Sequence, residues 1–165
     1  EFLNRALDEG YFQARNNNDV PFCLMWANHH WRDLFPLKLN SAPINWTDVE
    51  SDAVIWSGYV AGKTFDRMTD LIIDKYFKHP AYYKINGAPY FSIFETETFI
   101  AGFENERQAV SAIQEFRKKT IAAGFPDLHL SIVGRGLGLT DNTATCERIN
   151  GLAGKMAAQI GRAHV

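Results

Sequence analysis

Two tryptophans, an asparagine and two histidines follow an apolar run near the start of the chain, in the segment PFCLMWANHHW at residues 21–31. Buried strands of parallel sheets are short apolar runs, and such sheets bind ligands just beyond the carboxyl ends of their strands. Aromatic rings stack on the apolar faces of sugars, while amides and imidazoles bind hydroxyl groups. The candidate carbohydrate-binding residues are therefore Trp26, Asn28, His29 and Trp31, together with Trp56 from the aromatic loop that follows.

Each of these residue types also has a structural interpretation. A tryptophan at a strand end can cap the core, and one of the two adjacent histidines can be an internally bonded structural residue. Zinc binding by His29 and His30 is a further alternative. Adjacent side chains on extended backbone point to opposite sides, however, and no third ligand stands at recognisable spacing. The sequence therefore favours His29 as a sugar-binding residue, with no metal and no cofactor.

A carboxylate follows a second apolar run. Glu95 comes directly after the predicted buried strand at residues 90–94, where burial suits a carboxyl group to acid or base catalysis. Glu95 and Glu97 alone do not form a hydrolase pair, because the two carboxyls must flank the scissile bond and commonly come from different strands. We therefore interpret Glu95 as an assisting carboxylate or a substrate hydrogen-bonding group, with a solvated loop carboxylate as the alternative.

A third predicted strand, at residues 128–133, is followed by Arg135 and by three glycines at positions 134, 136 and 138. If the three strands are parallel, Arg135 lies at the same edge as the tryptophans and Glu95, and we include it among the substrate-binding candidates. The glycines resemble a dinucleotide fingerprint only in part, because Leu139 stands where the last glycine belongs and a polar stretch replaces the expected helix. A strand-end loop is the preferred interpretation.

The elements that must position these residues alternate between helix and strand. Helical spacing of apolar residues predicts helices at residues 3–14, 65–77, 105–123 and 142–158, with a long loop at residues 27–63. Asn86-Gly87 predicts a tight hairpin before the second strand. Alternation of this kind favours a parallel α/β sheet. Three strand-helix units are too few for a closed barrel, so we expect part of a (β/α)8 barrel at residues 1–159, with an open doubly wound parallel sheet as the alternative.

Composition excludes several classes of protein. The chain has 165 residues and is 46% hydrophobic, which excludes disorder. Its formal net charge of −2 argues against nucleic acid as a partner. No window resembles a membrane span or a signal peptide, so a cytoplasmic location is favoured. The cysteines Cys23 and Cys146 are far apart and are expected to be free thiols.

The segments PFCLMWANHHW and KYFKHPAYYKINGAPYFSIFE together resemble the WbsX-like carbohydrate enzymes, a group related to glycoside hydrolase family 99. The first carries the tryptophan-alanine-asparagine step with a second tryptophan close behind, and the second is a tyrosine-rich lead into a barrel strand. The resemblance implies a (β/α)8 barrel that cleaves or transfers glycosyl units of a polysaccharide or glycan, with an activated sugar donor as a further candidate partner. A noncatalytic glycan-binding domain is the alternative function.

Two departures limit what the resemblance implies. Many members have a glutamate where this chain has His29, so the role of that glutamate does not transfer. The later tryptophan-asparagine-glutamate-tryptophan motif, with the main catalytic carboxylates, is absent. The final segment, IGRAHV at residues 160–165, matches a peptide encoded by a common sequencing adapter and is excluded from fold reasoning. We therefore expect an incomplete domain that is inactive alone and prone to association.

Overall fold

A computed structural model of the chain describes residues 4–32 and 54–132. A helical segment comes first, with a π-helical part at Ala6–Gly10 and a 3-10 turn at Tyr11–Gln13. The strands are β1 (Leu24–Trp26), β2 (Trp31–Arg32), β3 (Val54–Trp56), β4 (Lys84–Ile85), β5 (Ala88–Ile93) and β6 (His129–Ile132). The helices are α1 (Gly62–Leu71), which continues as a π-helical turn at Ile72–Phe77, α2 (Thr96–Ala101) and α3 (Glu106–Ala122).

Strand β5 is the centre of a parallel sheet. It pairs in parallel with β1, where Leu24 lies opposite Phe91, and with β6, where Phe91 lies opposite Leu130. The three strands predicted from the sequence are therefore neighbours in chain order, and the α/β class with a parallel sheet is confirmed. A separate antiparallel ribbon joins β2 to β3.

The hairpin before β5 follows from its turn residues. Asn86 has φ 51° and Gly87 has φ 82°. A two-residue type I′ hairpin turn needs positive φ at both positions, which is why it favours Asn-Gly. Strand β4 then pairs antiparallel with the start of β5. The predicted turn is confirmed, although β5 begins at Ala88, two residues before the predicted strand.

The long helix α3 carries clear signals at both ends. The Asn105 side chain accepts a hydrogen bond from the backbone N–H of Gln108 at 3.1 Å, which satisfies one of the donors left free at a helix start. Gly124, just past the helix end, has φ 98°, a conformation that glycine adopts without steric cost. The predicted helix at residues 105–123 is confirmed, as is the one predicted from Phe65, which starts three residues earlier at Gly62.

Phenylalanine rings fill the space between the sheet and the helices. Phe116 of α3 packs edge-on against Phe91 of β5 at 5.5 Å and lies 6.4 Å from Phe65 of α1, measured between ring centroids. Both α1 and α3 therefore cover the same face of the sheet. Burying one such side chain stabilises the fold by roughly 1.5–3 kcal/mol. The core of the described residues lies on this side of β5.

The sequence did not predict the ribbon β2–β3 or helix α2. The segment at residues 27–63, which the sequence predicted as an irregular loop, carries β2 and β3 and the start of α1. Strands of two or three residues are too short to show a period of two, and their pairing joins residues far apart in sequence. The predicted helix at residues 142–158 and the last residues of the third predicted strand lie outside the described residues.

Candidate functional site

A cavity of about 490 Å³ lies along β1 and the loop that follows it. Its volume falls within the roughly 300–1,000 Å³ typical of small-molecule pockets. Its lining comes from the N-terminal helical segment, from β1 and its loop, and from the ribbon: Asn4, Leu7, Cys23, Leu24, Met25, Trp26, Ala27, Asn28, His29, Trp31, Trp56, Ser57, Gly58 and Val60. These described lining residues include no Asp, Glu, Lys or Arg.

Three aromatic side chains form a wall of this cavity, which we call the aromatic wall and define as His29, Trp31 and Trp56. Trp31 of β2 lies directly opposite Trp56 of β3 in the ribbon, and paired residues of an antiparallel ribbon share a face. The His29 ring stacks on Trp31, with centroids 5.4 Å apart and an interplanar angle of 19°. Trp56 is 55% exposed, so about half of its side chain is open to solvent.

Trp26 contributes to both the core and the cavity. Its indole ring lies 5.9 Å from Phe65 and 6.1 Å from Phe99 between centroids, which places one side of the ring against the helix-covered core. Trp26 is also half-buried at the cavity lining. Trp26 therefore packs against the core and also borders the cavity, so its two interpretations are compatible.

Asn28 joins the carboxyl ends of two strands. Its amide Nδ2 donates to the backbone carbonyl of Glu95 at 2.6 Å, and its Oδ1 accepts from the backbone N–H of Glu95 at 2.7 Å. Asn28 is 1% exposed, so both backbone groups of Glu95 find their partner away from water. The structure thus gives the Asn28 amide a strand-joining role that the sequence did not predict, while the residue still borders the cavity.

Glu95 lies at the start of α2, next to the cavity lining but outside it. Its carboxylate Oε2 accepts a hydrogen bond from the Thr98 hydroxyl at 2.8 Å, three residues along the chain. Since Asn28 binds the backbone and Thr98 binds the side chain, both parts of Glu95 are held at the strand end. Glu97 is exposed in the same short helix.

A comparison with known protein families gives a match to the model described as Glycosyltransferase WbsX, which covers residues 1–156. The chain belongs to this WbsX family. Membership indicates a carbohydrate-active role, in agreement with the resemblance that the two sequence segments carry. No curated protein and no solved structure matches the chain.

In this WbsX family member, the two adjacent histidines have different environments. The buried Nδ1 of His29 has no hydrogen-bond partner among the described residues. His30 Nδ1 instead accepts a hydrogen bond from the backbone N–H of Gly58 at 3.1 Å, and its ring packs edge-on against Tyr59 at 4.5 Å between centroids. No group of three potential metal-ligating side chains occurs in the described part of the chain.

The sequence offered His30 only as an alternative zinc ligand or as the structural member of the histidine pair, and it assigned no role to Gly58. The segment VIWSG at residues 54–58 repeats, in shorter form, the pattern of an apolar strand that ends in a tryptophan, which is the only local signal for this part of the site. The predicted site residue Arg135 and the glycines at positions 134, 136 and 138 lie outside the described residues. Within residues 4–32 and 54–132, no helix is long and apolar enough to cross a membrane.

Proposed function

We propose that the cavity binds a glycosyl unit of a polysaccharide or glycan and that the parent protein cleaves or transfers such units. The observation that carries this proposal is the convergence of Trp26, Asn28, His29, Trp31 and Trp56 on one cavity. The sequence predicts the same five residues as sugar-binding candidates, four of them at or just after a strand end and Trp56 in the long loop that follows. The family match supports the same class of substrate.

The aromatic wall has the chemistry that a sugar ring needs. The face of Trp56 can stack on the C–H surface of a pyranose, while Ser57 and the imidazole of His29 offer hydrogen bonds at its edge. The described lining carries no charge to select an ionic ligand. A neutral sugar ring therefore suits this wall, and an activated sugar donor would need its phosphates bound elsewhere.

We also propose that the parent domain is a (β/α)8 barrel. Strands β1, β5 and β6 are neighbours in chain order, and α1 and α3 pack on one face of the sheet. A barrel has both features, as does one half of a doubly wound sheet, and we propose the barrel because the resemblance to the WbsX-like enzymes implies it. Met25, Ser92 and Ser131, which are in register on the opposite face, would then point into the barrel.

Within this proposal, Glu95 is an assisting carboxylate at the carboxyl end of a central strand. Thr98 and Asn28 fix its side chain and its backbone, and preorganised groups of this kind are what an active site requires. Glycoside chemistry commonly needs a second carboxylate on the other side of the bond. The described cavity lining contains none, so the partner carboxylate is expected from another part of the parent protein.

Protection of Cys23 is a direct test of sugar binding, because this exposed thiol lines the cavity. In a Cys146→Ser background, the rate of reaction with a chromogenic disulfide reagent is measured with oligosaccharides from α-mannan, α-glucan and β-glucan, and with a nucleotide sugar. We expect at least one oligosaccharide to slow the reaction about tenfold at saturation. A rate that no member of this panel changes would contradict the proposed cavity ligand.

A noncatalytic glycan-binding role is the second candidate, because the aromatic wall could bind a sugar ring without any partner carboxylate. The Glu95→Gln variant of the full-length parent separates the two functions. Loss of turnover with binding kept would support a catalytic role for Glu95. Unchanged turnover would remove that role, and a wild-type protein that binds glycan without turnover would favour the binding domain.

A further inference from the structure

We propose that His30 and Gly58 are positioning residues that hold the aromatic wall in place through a hydrogen bond and a close backbone contact. This inference deepens the proposed function, since it concerns the same cavity, but its structural part holds whatever ligand the cavity takes. Neither residue was among the predicted sugar-binding groups.

The hydrogen bond joins two distant segments. Gly58 donates its N–H to His30 Nδ1 at 3.1 Å across 28 residues of sequence, and an Nδ1 that accepts a hydrogen bond leaves the ring proton on Nε2. Tyr59 packs edge-on against the same ring at 4.5 Å. His30 is therefore held in one orientation and one tautomer by the segment that follows β3.

The close contact at Gly58 excludes a side chain. A Cβ built on Gly58 would lie 2.8 Å from the backbone carbonyl carbon of His29 and 2.9 Å from Thr98 Cγ2, and closer still to the carbonyl oxygen of Asn28. Gly58 is itself buried. The chain after β3 therefore rests directly on the loop after β1 and on α2, at the point where Thr98 binds the Glu95 carboxylate.

This contact adds support to a ribbon whose described strands are short. Strands β2 and β3 have two and three residues, and an isolated two-stranded ribbon is at best marginally stable in water. His30 immediately precedes Trp31, and Gly58 follows Trp56 by two residues. The contact between His30 and Gly58 thus closes the ribbon next to its Trp31–Trp56 pair and fixes that pair relative to β1 and Glu95.

A matched set of histidine variants tests the hydrogen bond. His30→Phe keeps a ring against Tyr59 but removes the acceptor, whereas His30→Asn places an amide oxygen close to the position of Nδ1. His79 supplies the control, because its Nδ1 also accepts from a backbone N–H, that of Ala81 at 3.2 Å, away from the cavity. The readouts are hydrogen exchange at the Gly58 amide and the tryptophan signal in near-ultraviolet circular dichroism.

We expect His30→Phe to speed exchange of the Gly58 amide at least tenfold and to weaken the tryptophan signal, and His30→Asn to restore most of both. His79→Phe should leave both readouts as in the wild type. A His30→Phe variant with wild-type exchange, or a failure of His30→Asn to restore protection, would overturn the proposal. If neither His30 variant folds, long-range ¹H–¹⁵N spectra of the wild-type imidazole decide, because a proton on Nδ1 is incompatible with the proposed acceptor.

Two glycines test the close contact. Gly58→Ala should disturb the tryptophan signal, whereas Gly10→Ala should not, because a Cβ at Gly10 meets no atom within 4 Å. Binding of α-mannan oligosaccharides is followed by tryptophan fluorescence. It should weaken in Gly58→Ala and His30→Phe and stay at the wild-type level in the controls Gly10→Ala and His79→Phe. An absence of binding by the wild type to any oligosaccharide would count against the proposed function, while exchange and circular dichroism would still decide the positioning role. Wild-type tryptophan signal in Gly58→Ala would overturn the role of Gly58.

Discussion

Two aromatic regions of the molecule differ in how their rings are held. The helix-covered core uses mainly phenylalanines, and among the described residues Phe65, Phe77, Phe91, Phe99 and Phe116 are each at most 2% exposed. The cavity uses tryptophan and histidine, and Trp56 is 55% exposed. Rings without polar atoms fill volume and are fixed by close packing, whereas the rings of the cavity form a partly exposed surface whose position, in our proposal, depends on the contact between His30 and Gly58.

The largest effect is expected in the phenylalanine core. Phe116→Ala should lower the free energy of unfolding by about 3–5 kcal/mol, because it removes a ring that contacts Phe65, Phe77 and Phe91 and leaves a void. Urea denaturation measures the change. Ile121→Ala, on the same helix at a position that is 47% exposed, is the control and should cost far less. Similar losses in the two variants would mean that the core is loosely packed and would remove the contrast with the cavity.

The next effect concerns Asn28, which lies between the two regions. Asn28→Ala leaves the backbone N–H and carbonyl of Glu95 without their partner, at about 1–3 kcal/mol for each buried group. Asn28→Asp keeps the acceptor and loses the donor, so its loss in unfolding free energy should be smaller. If Asn28→Ala unfolded at the wild-type urea concentration while glycan binding was lost, Asn28 would be a sugar-binding residue and not a strand-joining one.

The core and the cavity also differ in how well the sequence predicts them. Helix α3 and the β4–β5 turn follow from local chemistry, because the Asn105 cap, the Gly124 stop and the Asn86-Gly87 turn each act within a few residues. The parallel order of β1, β5 and β6 follows from the alternation of helix and strand.

The sequence could predict which residues line the cavity but not how those residues are arranged. The tryptophans and histidines were recognisable at residues 26–31, yet their arrangement depends on contacts that join residues far apart. Asn28 and Glu95 are 67 positions apart, and His30 and Gly58 are 28 apart. The sequence predicted that one of the two histidines is internally bonded and favoured His29 for the site, but no local pattern shows which distant backbone N–H the other histidine binds.

A smaller effect, dependent on pH, is expected from Tyr82 in the core. Burial raises the pKa of the Tyr82 hydroxyl, which donates to the Tyr90 carbonyl at 2.6 Å. A raised folded-state pKa means that this stabilising contribution is complete below the usual tyrosine value of about 10 and is lost as the pH rises above it.

The Tyr82→Phe variant tests this contribution. It should cost about 1 kcal/mol at neutral pH, through the lost hydrogen bond, and should lose stability less steeply than the wild type above pH ~10. Thermal unfolding followed from neutral to alkaline pH measures both the loss of stability at neutral pH and its slope in the alkaline range. Parallel stability curves for the two proteins in the alkaline range would show that Tyr82 can ionise without unfolding, contrary to its buried position.

The smallest effect on stability, and the sharpest test of the cavity, is expected at Trp56. Because this side chain is 55% exposed, Trp56→Ala should change the free energy of unfolding by no more than about 0.5 kcal/mol. The same substitution removes the most accessible ring of the aromatic wall, so oligosaccharide affinity should fall about tenfold, which corresponds to about 1.4 kcal/mol.

Ile55→Ala is the matched control, since Ile55 is equally exposed in the same strand but alternates to the other face and is not part of the described lining. Calorimetric titration measures the oligosaccharide affinity, and urea denaturation measures the free energy of unfolding. Loss of stability without loss of affinity would make Trp56 a packing residue like the core phenylalanines, and equal losses of affinity in both variants would place the ligand on the ribbon as a whole and not on its tryptophan face.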